Sequence, residues 1–321
     1  LKEKELDFEK IDEACHYIPS GMNVWEGRME RFDLTQLKCY RSLKDAKRLE
    51  RSLGTLGGGN HFIEVDRAKD GTYYLVIHSG SRNLGKQVAE IYQQLAIDLH
   101  TGKEEYFKKR DEIIRTYKEQ GRRAEIQEAL KHLKKNYEIQ ELDAPNDICW
   151  LYGSFMDDYL YDVEICQRFA RRSRERMAEI IIERTKMTRT EAFHTIHNYI
   201  DVNEMILRKG AIAAHVEWNN SAPHGAGRIM SRTKAKQSID LEEYKASMQG
   251  IYSTSVNADT LDEAPMVYKS LADIIDVIRD SVEIIDIMKP VYNFKASDSE
   301  VPWKKRGDTN ERKDTGAASE N

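Results

Sequence analysis

The chain has 321 residues, 40% of them hydrophobic, with 50 Lys and Arg against 55 Asp and Glu and a formal net charge of -5. That apolar content supports one large core or two modest ones, and the negative balance excludes a protein that coats nucleic acid nonspecifically, because such binding depends on neutralising many phosphates. Cys15, Cys39, Cys149 and Cys166 are widely spaced and form no Cys-x-x-Cys pair, which fits a reduced, cytoplasmic protein better than a disulfide scaffold or a zinc ribbon. No apolar run is long enough to span a bilayer and no basic start precedes an apolar stretch, so no membrane partner is expected.

Residues 1–50 are charged and of mixed character, with a turn at Ile18-Pro19-Ser20-Gly21. Aromatic and branched residues predict short strands over 61–65 and 73–77, each beside a histidine, His61 or His78. From Gly85 to about Thr190 the pattern is helical, with a charged middle over 103–138 that reads as a solvated hairpin. Its most regular part is the stripe Cys166, Ala170, Ser173, Met177 and Ile181. Arg168, Arg171, Arg172 and Arg176 occupy the other faces and read as a solvated surface rather than an RNA track. A second long helix is predicted over 267–288, carrying Leu271, Ile274, Ile278, Val282 and Ile285 on one side and stopping at Pro290. The polar segment 297–321 is predicted to be disordered, and there is no internal repeat.

Two glycine-bearing segments carry the chemistry: Gly57-Gly58-Gly59-Asn60-His61-Phe62-Ile63-Glu64, and Pro223-His224-Gly225-Ala226-Gly227-Arg228 followed by Ser231-Arg232. Without a Cβ, glycine reaches left-handed backbone angles and lets main-chain N–H groups approach an anion, so both read as phosphate-facing loops. The alternative is a plain turn with surface arginines. His61, His78 and His197 each adjoin small or polar residues, in Asn60-His61, His78-Ser79-Gly80-Ser81-Arg82 and His197-Asn198-Tyr199. Three imidazoles with an open position describe a catalytic metal site, for which nitrogen donors alone favour zinc or iron over manganese. The competing reading is a set of half-buried histidines held by hydrogen bonds, and His194 and His215 receive that reading.

Together these motifs resemble the RtcB-type RNA ligases, GTP- and manganese-dependent enzymes that join an RNA 3′-phosphate or 2′,3′-cyclic phosphate end to a 5′-hydroxyl end. The resemblance runs along most of the chain and implies an α+β fold, with mixed β-sheets around a central cleft. Residues 1–296 would form one catalytic domain with a charged helical insertion at about 86–190. By the same resemblance, His224 attacks the α-phosphorus of GTP, expels pyrophosphate and carries GMP as a phosphoramidate. Imidazole suits this role because it is neutral and nucleophilic near pH 7. Gly225, Ala226 and Gly227 would let the loop fold under the phosphate, and Arg228 and Arg232 would neutralise its charge. Asn60, Glu64 and Lys295 correspond to nucleotide contacts, with Glu64 accepting from guanine N–H groups, while Asn198 would touch phosphate or ribose. Arg82 and Arg208 correspond to contacts with the RNA-end phosphate, and His61, His78 and His197 to manganese ligands, two ions being bound in the family. The implied partners are RNA with such ends, in tRNA splicing or RNA repair, GTP, and an accessory activator protein.

The implied reaction has three steps. Water opens a cyclic phosphate to a 3′-monophosphate, His224 delivers GMP to it, and the 5′-hydroxyl attacks the activated end and releases GMP. Two departures from the family pattern stand out. The chain opens at Leu1 without an initiator Met, beyond where the family has an upstream segment with an Asp and a Cys that ligate metal. Only residues 212–223 separate Ala211 from His224, and no Pro-Gly-Ser-Met-Gly type run lies among them. A piece of a longer protein, or one of impaired activity, is therefore expected. A degenerate relative that binds RNA ends or guanine nucleotide without ligating, and a metal-dependent phosphohydrolase, stay open beside the ligase.

Overall fold

The computed structural model describes residues 6–137, 145–214, 221–279 and 282–296. Its elements in chain order are α1 (Phe8–Tyr17), α2 (Ala46–Arg51), β1 (Phe62–Arg67), β2 (Tyr73–His78), α3 (Arg82–His100), α4 (Lys103–Glu119), α5 (Ile126–Asn136) and α6 (Ser154–Thr185). There follow β3 (Asn198–Asp201), β4 (Ile206–Lys209), β5 (Ala211–Ala213), β6 (Ser221–Pro223), α7 (Arg232–Ser238), α8 (Leu241–Ser247), α9 (Leu271–Ile278) and β7 (Lys289–Lys295). The chain divides into two compact units, one of residues 1–33, 45–82 and 166–321, the other of residues 34–44 and 83–165.

In the first unit a three-stranded antiparallel sheet runs in the order β2-β1-β7. Side chains alternate across a strand, so the register decides what shares a face. Ile63 pairs with Phe294 and Val65 with Tyr292; both β1 residues are fully buried, with Leu56, Trp25, Ile11 of α1 and Met177 and Ile181 of α6 in the same apolar cluster. Each such side chain contributes about 1.5–3 kcal/mol on burial. The opposite face carries Phe62, Glu64 and their partners His78, Lys295 and Asn293.

The stripe on α6 behaves as its spacing predicts: Cys166, Ala170, Ser173, Met177 and Ile181 are all buried, and Ser173 Oγ accepts from Gly54 N at 3.0 Å. On its other faces Arg171 pairs with Glu175, Arg172 with Glu30 and Glu179, and Arg176 with Glu179 and Glu183. The predicted strands at 61–65 and 73–77 form as β1 and β2; β1 begins one residue later, leaving His61 just before it, and runs two residues further, while β2 gains His78.

The helix predicted over 267–288 does not form as one piece. Ser270 caps a helix that ends at Ile278, residues 282–288 have no regular structure, and Ile285 is 97% exposed. The reason is tertiary: the chain must be extended by Lys289 to pair with β1. Pro290 therefore lies inside β7, beside the register shift between Val65 and Asp66, where a missing N–H is tolerated. Helices and small sheets are both present, as expected, and each named strand pair, including β3–β4 and β5–β6, is antiparallel. The predicted disordered tail, 297–321, and His215 lie outside the described residues.

In the second unit α4 and α5 carry no buried residue and make the solvated hairpin expected from their charge. Its organising group is Asp162 of α6, which is fully buried and accepts from Lys38 N at 2.8 Å, Cys39 N at 3.0 Å and Tyr92 Oη at 2.8 Å. Among the described residues no helix is long and apolar enough to cross a membrane. Asp162→Ala leaves three donors, two of them buried, without this acceptor and is expected to cost about 3 kcal/mol or more, whereas Tyr92→Phe costs about 1 kcal/mol. Urea unfolding followed by circular dichroism checks both; equal losses for the two variants would contradict this assignment.

Candidate active site

Four histidines of the first unit meet where β2, β3 and the segment after β6 approach each other. His78 Nε2 and His197 Nε2 are 3.1 Å apart, and the His197 and His224 rings stack at 3.7 Å between centroids. One ring nitrogen from each of His78, His197 and His224 lies within 4.8 Å of the others. His61 stands beside them, its ring centroid 5.9 Å from that of His78, with Nδ1 donating to Leu56 O at 2.7 Å. That bond fixes the tautomer and leaves the Nε2 lone pair free. His224 Nδ1 is held in the same way by Gly210 O at 3.2 Å. The tight group thus contains the proposed nucleophile, with His61 at its edge.

Burial and the neighbouring His197, His61 and His224 push His78 down to about 3, and burial likewise lowers His61 and His197. All three are therefore neutral imidazoles, the form that binds metal. The buried Nδ1 of His197 has no hydrogen-bond partner among the described residues.

The first glycine loop has a direct steric reason. Gly57 has φ +90°, and a Cβ there would fall 1.6 Å from Arg82 Nη1 and 2.6 Å from His61 Nδ1. Arg82 crosses this space to donate to Gly21 O at 2.8 Å and Thr55 Oγ1 at 3.0 Å, and burial pushes its guanidinium down to about 10. The second loop differs from its expectation: neither Gly225 nor Gly227 has positive φ, although Gly57 and Gly59 do. Gly225, Ala226 and Gly227 are exposed, with open space where a Gly225 Cβ would lie.

The cations assigned to the nucleotide converge on carboxylates that sequence reasoning missed. Glu263 accepts from Arg228 Nη1 at 3.2 Å and Arg232 Nη1 at 2.6 Å, lies 3.7 Å from Lys295 Nζ, and accepts from Tyr268 Oη at 2.5 Å. Asp262 takes Arg232 at 2.5 Å and Lys236 at 3.5 Å. Lys295 lies over the Phe62 ring at 4.8 Å, and a Cβ at Gly59 would be 3.6 Å from Arg232 Nη2, so this network adjoins the first loop. Adjacent Asp and Glu before Ala264-Pro265 look like an exposed turn in the sequence; only long-range packing buries them.

The remaining candidates are dispersed. Glu64 Oε2 accepts from Asn293 Nδ2 at 2.6 Å, and Asn60 is exposed. Asn198 Oδ1 accepts from Gly210 N at 2.8 Å, bracing the residue between β4 and β5 whose carbonyl holds His224. Arg208 is turned inward, 1% exposed, and bound to Asp201, Glu204, Tyr199 and Ser221.

Neutral imidazoles flanked by fixed cations form a site suited to a metal ion and phosphoryl oxygens. A sequence-family model described as tRNA-splicing ligase RtcB matches residues 12–219 and 213–296, and the chain belongs to that family. RNA-splicing ligase RtcB of Escherichia coli K12 is 26% identical over 287 residues, covering 76% of this chain and 61% of the relative. The tRNA-splicing ligases RtcB of Thermococcus kodakarensis and Archaeoglobus fulgidus are 25% and 27% identical, over 89% and 74% of this chain and 69% and 58% of their own lengths. The chain therefore spans less than two thirds of the E. coli and A. fulgidus relatives.

The residues present fit a divalent transition metal. Two nitrogens bound at about 2.1 Å and roughly 90–110° from each other lie about 3.0–3.4 Å apart, and the His78–His197 separation of 3.1 Å falls in that range.

On the sheet face next to Glu64, burial and the Glu64 charge push the Asp66 carboxyl up to about 7. Its folded value lies above the ordinary carboxylate value of about 4, so the native state holds the proton more tightly. The resulting stabilisation is complete below about pH 4 and is lost as pH rises through about 7. Unfolding free energies for wild type and Asp66→Asn should diverge across this window, the wild type falling more steeply; parallel curves would contradict the assignment.

Proposed function

We propose that this chain carries the catalytic core of a GTP-dependent RNA ligase joining 2′,3′-cyclic phosphate or 3′-phosphate ends to 5′-hydroxyl ends through a His224-GMP intermediate. The observation that carries the reading is the packing of His224 against His197 and His78, in a chain of the RtcB family. The Gly210 carbonyl holds His224 Nδ1, so Nε2 presents its lone pair as the nucleophile. His78, His197 and His61 would hold manganese, which supplies Lewis acidity toward phosphoryl oxygens. Arg228 and Arg232 neutralise phosphate charge, and Glu64 and Lys295, on one face of the sheet, take the guanine. Arg82, fixed at the first loop, is the better placed of the two RNA-end candidates; Arg208 is occupied by its own hairpin. Residues 1–296 act in this reading as one catalytic domain with 86–190 as its insertion, and tRNA splicing or RNA repair supplies the substrate.

A second reading has one observation in its favour. A nitrogen of His224 lies within the same 4.8 Å group as His78 and His197, which suits a third metal ligand in a phosphohydrolase. Incubation with manganese and α-labelled GTP separates the two. The ligase reading predicts an acid-labile, alkali-stable protein adduct that His224→Ala abolishes. An adduct persisting in that variant assigns the nucleophile elsewhere, and phosphate release without adduct favours the hydrolase. GTP binding with neither outcome indicates a relative that binds without ligating.

A further inference from the structure

The cations of the second loop are held by acidic groups that no assignment above uses. Glu263 and Asp262 have side chains only 3% and 7% exposed, and together they contact Arg228, Arg232, Lys236 and Lys295. Four cations against two carboxylates leave a surplus of positive charge, and counting Glu64, whose charge also reaches Lys295, still leaves one. Tyr268 completes the clasp, donating to Glu263 while its oxygen lies 3.1 Å from Arg228 Nη1. Arg228 is further fixed by donation to Asp262 O at 2.6 Å.

We propose that Asp262 and Glu263 are positioning residues for the nucleotide: two buried carboxylates that hold Arg228, Arg232 and Lys295 in one arrangement, whose surplus charge receives a polyphosphate. The inference deepens the nucleotide reading and rests on it. Long cationic side chains lose rotamer freedom when they clamp an anion, and cations ordered beforehand avoid part of that loss on binding. Two opposing effects therefore follow from each carboxylate. Its negative charge repels the incoming phosphate, and its hydrogen bonds preorganise the cations that attract it. In a cluster that keeps a net positive charge, ordering dominates.

The sign of one mutational effect decides the matter. Glu263→Gln keeps the shape and removes the charge, so a carboxylate that merely competed with phosphate would give tighter binding when neutralised. Positioning predicts the reverse, a loss of affinity of roughly tenfold or more for both GTP and pyrophosphate. Calorimetric titration of the whole chain with GTP plus manganese, and separately with pyrophosphate, measures both. Circular dichroism checks the fold, and Glu263→Asp, which keeps the charge, should recover part of the affinity. Asp262→Asn repeats the test through Arg232 and Lys236 should Glu263→Gln fail to fold. Unchanged or tighter binding in the folded neutral variants overturns the inference. Wild type that binds pyrophosphate but not GTP ends the nucleotide reading, and the pair is then judged by pyrophosphate alone. Wild type that binds neither overturns both.

Discussion

The pairing of β1 with β2 on one side and β7 on the other is the constraint on which the candidate site depends. Because side chains alternate, one register places Ile63 and Val65 in the core and Phe62, Glu64, His78 and Lys295 on the opposite face. A slip of one residue would exchange the two sets, burying charge and exposing the apolar cluster. The stability of the core thus enforces the geometry of the site. It also brings Lys295, late in the chain, against a loop that begins at Gly57, a proximity that no local preference supplies.

Charge is managed differently in the two halves of that site. His61, His78 and His197 are kept neutral by burial and by one another, whereas Arg228, Arg232 and Lys295 lie against the carboxylates of Asp262 and Glu263. A metal and a phosphoryl group need those two environments side by side, one offering lone pairs and the other donors. Gly57 serves the histidine half, since only the absence of its Cβ lets the Arg82 guanidinium and the His61 ring approach the same backbone. The family to which the chain belongs consists of RNA ligases, and the local chemistry is consistent with that membership.

Much of this was legible before any coordinates. The short strands beside His61 and His78 follow from branched and aromatic runs, and the α6 stripe follows from a three-and-four spacing that shows on a buried helix face. Local pattern misled at residues 267–288, where a helical stripe yields to the demand of β7 for extended chain, with Pro290 inside the strand. It also misled at the second loop, whose glycines do not take left-handed angles. The carboxylates at Asp262 and Glu263 were illegible for another reason: burial of an acidic pair depends on partners distant in the chain, at Arg228 and Arg232, and nothing in Asp-Glu-Ala-Pro announces them.

The central claim is that the convergent imidazoles hold a metal beside His224, the proposed nucleophile. Anomalous diffraction from manganese-soaked crystals tests it most directly. The account predicts a peak at about 2.0–2.3 Å from Nε2 of both His78 and His197, with His224 Nε2 facing the adjoining space. A manganese peak elsewhere, with those two nitrogens still hydrogen-bonded to each other, would contradict it.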